Sequence, residues 1–255
     1  MKEAEAKNVL DEQVCLVTGA SGAIGEAIAR RFYEAGARLV LFRHRTPYAE
    51  ELVRELDPSG ERTLCLRADV VSERDVNTAV QQAVEHFGRI DVAVNVAGTI
   101  KHLPIDKMSL EDFENVLRIN LTGTFLLCKA VVPIMKKQGR GKIVNMASIA
   151  GRTGRPGVGV NYAAAKAGII GLTQTLAREA GPAGIYANAI APGPILTKLT
   201  RQVGPEVFAT WNAGRAVSKD GLPEDVAEAT LFLASPQSDW ITGVTLDING
   251  GILIR

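Results

Sequence analysis

Short apolar runs recur along the chain, and most are followed by stretches whose apolar positions repeat every three or four residues. The runs at residues 13–17, 38–42, 63–66, 90–96, 142–146, 185–190 and 245–248 predict seven strands. The fourth is nearly continuous in apolar residues, as a strand buried on both faces should be. Ile24, Ile28 and Phe32 lie four apart and share one helical face. Ser72 and Asp75 form a capping box before a helix carrying Val76, Val80, Ala83 and Phe87. Ser109 and Asp112 cap a long helix with Phe113, Val116 and Leu117 inside and Asn120 further along. Another helix carries Tyr162, and Leu222-Pro223-Glu224-Asp225 opens one that runs on through Leu231 to Ala234. Strands alternating with helices over the whole length predict an α/β fold, one doubly wound parallel sheet with helices on both faces. A single domain is expected over 13–255, after a polar N-terminal extension at 1–12. The irregular stretch at about 191–221 predicts a flap with one or two short helices.

Composition narrows the class. At 255 residues the chain suits one α/β domain with a large core. Hydrophobic residues at 46% and charged residues at 22% are ordinary for a globular protein. A net charge of +1 offers no bulk attraction to nucleic acid or to an acidic membrane. Cys15, Cys65 and Cys128 show neither zinc spacing nor a disulfide framework, and suit buried free thiols in a reducing compartment. His44, His86 and His102 form no metal-ligand motif. The first eleven residues are polar and do not resemble a secretory signal. Lys129 interrupts the best apolar run, which falls short of the roughly 18 residues of a membrane span. A cytoplasmic protein without a metal is expected.

The candidate chemistry begins after the first strand, at Thr18-Gly19-Ala20-Ser21-Gly22-Ala23-Ile24-Gly25. Strand, glycine-rich turn and helix form the setting in which backbone N–H groups hold a pyrophosphate. A Rossmann unit for NAD usually carries an acid roughly 20 residues beyond the glycines, bonded to the ribose 2′-hydroxyl. Here that place holds Arg43-His44-Arg45, and two arginines suit a 2′-phosphate. Asn120 is unfavourable inside a helix and is expected to serve another purpose. Tyr162 and Lys166, four apart, share a helical face. A phenol beside an ammonium should ionise more easily, which suits an acid or base.

Together these residues resemble the short-chain dehydrogenase/reductase family, over about residues 13–251. The family's glycine turn appears at 18–25, and its Asn-Asn-Ala-Gly motif as Asn95-Val96-Ala97-Gly98. Its serine matches Ser148, fourteen residues before Tyr162, and its helix asparagine matches Asn120. Pro192-Gly193 with Thr197 matches the segment over the nicotinamide. Two positions depart from the pattern. Ala23 stands where the middle glycine usually lies, and Val96 replaces the second asparagine.

The resemblance implies a seven-stranded Rossmann-type fold and hydride transfer between a nicotinamide cofactor and a carbonyl or secondary alcohol. Tyr162 would exchange the proton, Lys166 would lower its pKa and bond the nicotinamide ribose, and Ser148 would donate to the carbonyl oxygen. Asn120 would hold a water linking Lys166 to solvent. Gly19, Ser21, Gly22 and Ile24 would line the phosphate turn; Asp69 and Val70 would meet the adenine. Asn95, Ala97 and Gly98 would line the adjoining ribose, and Pro192, Gly193, Ile195 and Thr197 the nicotinamide. NADP(H) is the expected cofactor, with NAD(H) as the alternative. A catalytically silent NADP(H)-binding sensor is the competing function; a methyl-transferring Rossmann protein would not need Tyr162 and Lys166 on one helix. Substrate walls are expected from 99–103, 149–160 and the flap. Lys101, His102, Arg152 and Arg155 there suit a polar or anionic substrate, or are merely exposed charges on loops. Phe208 and Trp211 form an apolar lid or pack the flap down. A 3-oxoacyl thioester and a sugar or polyol both fit. The family resemblance and the small-residue face at Ala163, Ala164, Ala167, Gly168 and Gly171 predict a homotetramer.

Overall fold

The computed structural model describes residues 8–197, 200 and 205–254. Seven strands form the sheet: β1 Val14–Val17, β2 Arg38–Arg43, β3 Thr63–Arg67, β4 Val92–Asn95, β5 Gly141–Met146, β6 Ile185–Pro192 and β7 Thr245–Ile248. Their order is β3-β2-β1-β4-β5-β6-β7, with every neighbouring pair parallel. The helices are α1 Ala23–Glu34, α2 Tyr48–Leu56, α3 Glu73–Phe87, α4 Leu110–Leu117, α5 Gly123–Gln138, α6 Val160–Ala180, α7 Pro205–Trp211 and α8 Pro223–Ala234. Alternate strand residues face opposite layers. Cys15 and Val17 join Ile28 and Phe32 of α1, Leu52 of α2 and Val226 of α8 on one side. Val14 and Leu16 join Val80 of α3, Val131 and Met135 of α5 and Ala177 of α6 on the other. The expected doubly wound α/β sheet is therefore present. Chain order reverses between β1 and β4, which opens a crevice at the carboxyl ends of the strands.

Four details differ from the sequence reading. The expected extension at 1–12 is only partly separate. Leu10 is fully buried and its N–H donates to the Ala35 carbonyl, so the chain joins the core before β1; residues 1–7 lie outside the described residues. The fourth strand is shorter than 90–96. The Asp91 carboxylate accepts from the Val14 N–H at 3.0 Å, and the Val96 N–H turns to the Thr18 hydroxyl at 3.1 Å instead of the ladder. Helix α2 follows β2, where no helix was expected. The long helix with Asn120 is continuous from Leu110 to Gln138, but a π-turn at Arg118–Thr122 divides it. This 29-residue helix is the one described stretch long and apolar enough to cross a membrane by length and composition. Leu127, Val131 and Met135 pack it into the core.

Both expected capping residues act as such: Ser72 and Ser109 accept from the N–H groups of Asp75 and Asp112 at 3.2 and 3.1 Å. Of the flap, α7 is described; residues 198, 199 and 201–204 lie outside the described residues.

Candidate active site

The glycine turn is clamped to the exit of β4. The Thr18 hydroxyl accepts from the N–H groups of Val96 and Ala97 at 3.1 and 3.2 Å. Gly19 has a φ of +70°, and a Cβ there would lie 2.6 Å from the Ala97 nitrogen. A Cβ on Gly25 would strike the Gly19 carbonyl. Gly22 has room for a side chain but stays at the N-cap of α1. This is a backbone cradle at the first turn of a 12-residue helix, and it fits a pyrophosphate. Ala23 stands where the middle glycine usually lies and is the first residue of α1. Ile24 is partly buried against the core, and the Ser21 hydroxyl accepts from Thr46 at 3.3 Å.

Arg43 is not the free cation that the sequence suggested. Helix α2 turns back over the end of β2, and Glu50 in its first turn meets the Arg43 Nε at 2.6 Å. His44 lies 3.8 Å from Asp69, and Arg45 is exposed. Asp69 also accepts from the Val71 N–H at 3.2 Å, and Val70 packs on Gly123. Arg43, His44, Asp69 and Ser21 thus border one end of the crevice. Thr46, which reaches Ser21 across the turn, was not singled out from sequence.

The other end holds Ser148, Tyr162 and Lys166. Ser148 follows β5 in an extended conformation, and its hydroxyl accepts from the Ala150 N–H at 3.1 Å and lies close enough to the Tyr162 phenol to lower its pKa. Tyr162 and Lys166 stand one turn apart on α6. The Lys166 Nζ donates to the Met146 carbonyl at 2.6 Å and lies 5.5 Å from the centre of the Tyr162 ring. Burial dominates both groups. It pushes the phenol above its ordinary pKa, against the Ser148 hydroxyl, which lowers it. It pushes the lysine down to about 8. The expected lowering of the Tyr162 pKa by Lys166 is thus reversed in the protein alone. The ammonium lies over the ring and is bonded to the Met146 carbonyl. A Cβ on Gly151 would strike the backbone of Lys166 and Ala167, so this glycine lets the serine loop approach α6.

Asn120 sits in the π-turn, a departure often found at functional positions. Its Nδ2 donates to the carbonyls of Thr99 and Val116 at 2.8 and 2.9 Å. Its Oδ1 is buried without a hydrogen-bond partner, facing Gly98. An orphaned buried acceptor suits a bound water. Asn95 departs from the expectation, because its side chain turns into the core and donates to Asn145 at 2.8 Å. Asn145 donates onward to Thr173 at 2.9 Å, so Asn95 leaves only its backbone to the crevice.

Three expected substrate cations are engaged within the chain. Arg152 pairs with Asp247 at 2.7 Å, Arg155 donates to the Trp211 carbonyl, and Lys101 lies 3.8 Å from Asp112. They do not form an anion site. Trp211 packs the flap down: its ring meets His102 with centres 6.2 Å apart, and Gly157 is beside its indole nitrogen. Pro192 ends β6, and the Gly193 N–H donates to the Ile248 carbonyl at 2.9 Å. The Thr197 N–H is bonded to the Thr200 hydroxyl at 2.7 Å, and Ile195 bridges Gly221. A cavity of about 250 Å³ lies between the flap and β7; of the expected cofactor residues it includes Ile195 and none of the Ser148–Tyr162–Lys166 group.

Comparison with known proteins places this site in context. The profile of the family described as Enoyl-(Acyl carrier protein) reductase matches residues 19–253. The 3-oxoacyl-[acyl-carrier-protein] reductase of Synechocystis sp. is 38% identical over 247 residues, covering 96% of this chain and 98% of that protein. The short-chain reductase protein NovJ of Streptomyces niveus is 38% identical over 250 residues, covering 95% of each. The crystal structure of gox2181 superposes with a TM-score of 0.92 at 34% identity, covering 98% of each chain.

Proposed function

This chain belongs to the short-chain dehydrogenase/reductase family and is an NAD(P)-dependent oxidoreductase acting on carbonyl or alcohol groups, and we propose that it reduces the keto group of a 3-oxoacyl thioester, with NADP(H) as the preferred cofactor. One observation carries the catalytic assignment: Ser148 lies close enough to the Tyr162 phenol to lower its pKa, and Lys166, one turn on along the same helix, is buried with its Nζ 5.5 Å from the centre of the Tyr162 ring. The substrate class follows the relatives that are 3-oxoacyl-[acyl-carrier-protein] reductases. A silent sensor would have no need of this grouping with Asn120.

When bound, the nicotinamide supplies the hydride. The chain's residues manage the proton and the oxygen. Burial keeps the Tyr162 phenol protonated, so it stands ready to donate to the substrate carbonyl oxygen, as reduction requires. Ser148 donates a second hydrogen bond to that oxygen as negative charge grows on it. Lys166, charged below about pH 8, stabilises the phenolate that remains and bonds the nicotinamide ribose. The buried Oδ1 of Asn120 holds a water on the path that returns the proton. Gly19, Gly22 and the first turn of α1 take the pyrophosphate. Asp69 and Val70 meet the adenine, and Ala97 and Gly98 line the adjoining ribose. Pro192, Gly193, Ile195 and Thr197 border the nicotinamide. Arg43 and Arg45 take the 2′-phosphate, with Arg43 drawn from Glu50 or shared with it.

A homotetramer accompanies this reading. Ala164, Ala167 and Gly171 are exposed along α6, near the half-exposed Phe125. Gly168 instead closes on Leu121 within the chain. Near β7, Trp240 is 99% exposed, with Val244 and Ile254 also exposed.

The test follows NADPH consumption with a 3-oxoacyl thioester, identifies the product, and repeats it with Tyr162→Phe. Turnover should fall by about two to four orders of magnitude with NADPH affinity kept. Near-normal turnover in the variant removes Tyr162 from the chemistry. A wild type that reduces only 2-enoyl thioesters reassigns the substrate.

A further inference from the structure

His102 stands directly against the catalytic tyrosine, and the chemistry above does not use it. Its imidazole meets the Tyr162 ring edge-on, with centres 5.6 Å apart and planes at 86°, and meets Trp211 similarly on another side. Its Nδ1 accepts from the Gly159 N–H at 3.1 Å. Gly159 is the N-cap of α6, and a Cβ there would lie 2.7 Å from the Lys101 carbonyl, so the loop is seated closely on the helix start. Burial lowers the His102 pKa and favours the neutral ring. A neutral imidazole that accepts at Nδ1 carries its proton at Nε2. That Nε2–H has no hydrogen-bond partner among the described residues. The ring is thus fixed in place and tautomer, with one free donor beside the reacting phenol.

We propose that His102 is a specificity-determining residue whose Nε2–H donates to a second acceptor of the substrate, the thioester carbonyl two carbons from the keto group held by Tyr162 and Ser148. This rests on the 3-oxoacyl reading above. A simple ketone has no acceptor at that place, so the residue distinguishes a 1,3-dicarbonyl pattern from an isolated carbonyl. The bond forms in the bound substrate and persists in the transition state, so it acts on binding more than on turnover.

Three substitutions separate this role from a structural one. His102→Phe keeps a ring and removes both nitrogens. His102→Asn keeps an acceptor for Gly159 and loses the far donor. His102→Gln keeps a donor at the far position and loses the Nδ1 acceptor. The probes are the 3-oxobutanoyl thioester of N-acetylcysteamine for steady-state kinetics and NADPH for a fluorescence titration. Expected are KM values raised about tenfold in the Phe and Asn variants, with kcat within about twofold. The Gln variant should stay within about threefold of wild type in KM, and NADPH Kd should be unchanged in all three. An Asn variant like wild type beside a Gln variant like Phe overturns the proposal and leaves His102 as a support for Gly159. Equal losses in Asn and Gln, losses confined to kcat, or a weakened NADPH Kd overturn it as well. A wild type inactive on this thioester while reducing other ketones removes the 3-oxoacyl reading, and this proposal with it.

Discussion

Replacing Lys166 by Met should remove a pH dependence of stability as well as the activity. Lys166 is 4% exposed, and burial takes its pKa from 10.5 to about 8. Between those values the unfolded chain holds the proton that the folded chain has released. Stability therefore rises with pH across the window from about 8 to 10.5. The full interval corresponds to about 3 kcal/mol, of which about 1.4 kcal/mol is gained by about pH 9. Cys15, Cys65 and Cys128 act in the opposite direction, because burial raises all three thiols and their contribution is lost as pH rises above the ordinary value of 9.0. They are common to wild type and variant and cancel in the difference. The assay is urea unfolding of the cofactor-free protein near pH 7 and near pH 9, at one protein concentration, with m compared between proteins. The gain in wild type should exceed that in Lys166→Met by about 1 kcal/mol. Equal gains in the two proteins would show that the amine does not titrate near 8, and the reasoning from burial would fail.

Thr18→Val should leave the N–H groups of Val96 and Ala97 without their acceptor, costing about 1–3 kcal/mol of stability and weakening NADPH binding; unchanged melting and affinity would contradict the clamp. Arg43→Asp should shift the kcat/KM ratio of the two cofactors toward NAD(H) by about tenfold or more at low ionic strength. A wild type that already favours NAD(H) would show the 2′-phosphate assignment to be wrong. Light scattering at micromolar concentration should give four times the chain mass of 27.2 kDa, and a monomer mass would rule out the assembly.

The sheet was legible because most of its strands are short apolar runs set off by turn or capping residues. What escaped is what depends on chain return. Helix α2 was overlooked although Ala49, Leu52, Val53 and Leu56 recur at i, i+3, i+4 and i+7, because its nine residues are mostly charged between those positions. Its consequence, the Arg43–Glu50 pair, depends on the angle at which the helix folds back over β2. Leu10 looked like part of a polar extension because two adjacent apolar residues, Val9 and Leu10, have no period; the pocket that receives Leu10, beside Ala35, exists only once α1 is packed. Asn95 was expected at the ribose, but parallel pairing of β4 with β5 sets it beside Asn145. A buried pair of amides then satisfies itself inward, leaving no side chain for the crevice. The Oδ1 of Asn120 had a signal in the helix-breaking residue type, and the π-turn supplies its physical form.

The Tyr162–Lys166 pair shows where spacing alone misleads. Four residues on a helix place two side chains on one face, and from that alone a positive charge lowers a neighbouring phenol. The spacing is right, yet the sign for the phenol in the protein alone is reversed. Whether charge or burial wins depends on where the ammonium points and on how much water reaches the oxygen. Met146 at the end of β5 draws the ammonium toward its carbonyl, and Gly151 lets the Ser148 loop pack closely against α6. Burial disfavours whichever form is charged, so it raises the phenol and lowers the amine together. A protonated phenol and an amine near 8 make a proton donor with a charge in reserve, the state that carbonyl reduction draws on. Oxidation needs the phenolate first, and that form gains from any change that brings the ammonium nearer the phenol oxygen.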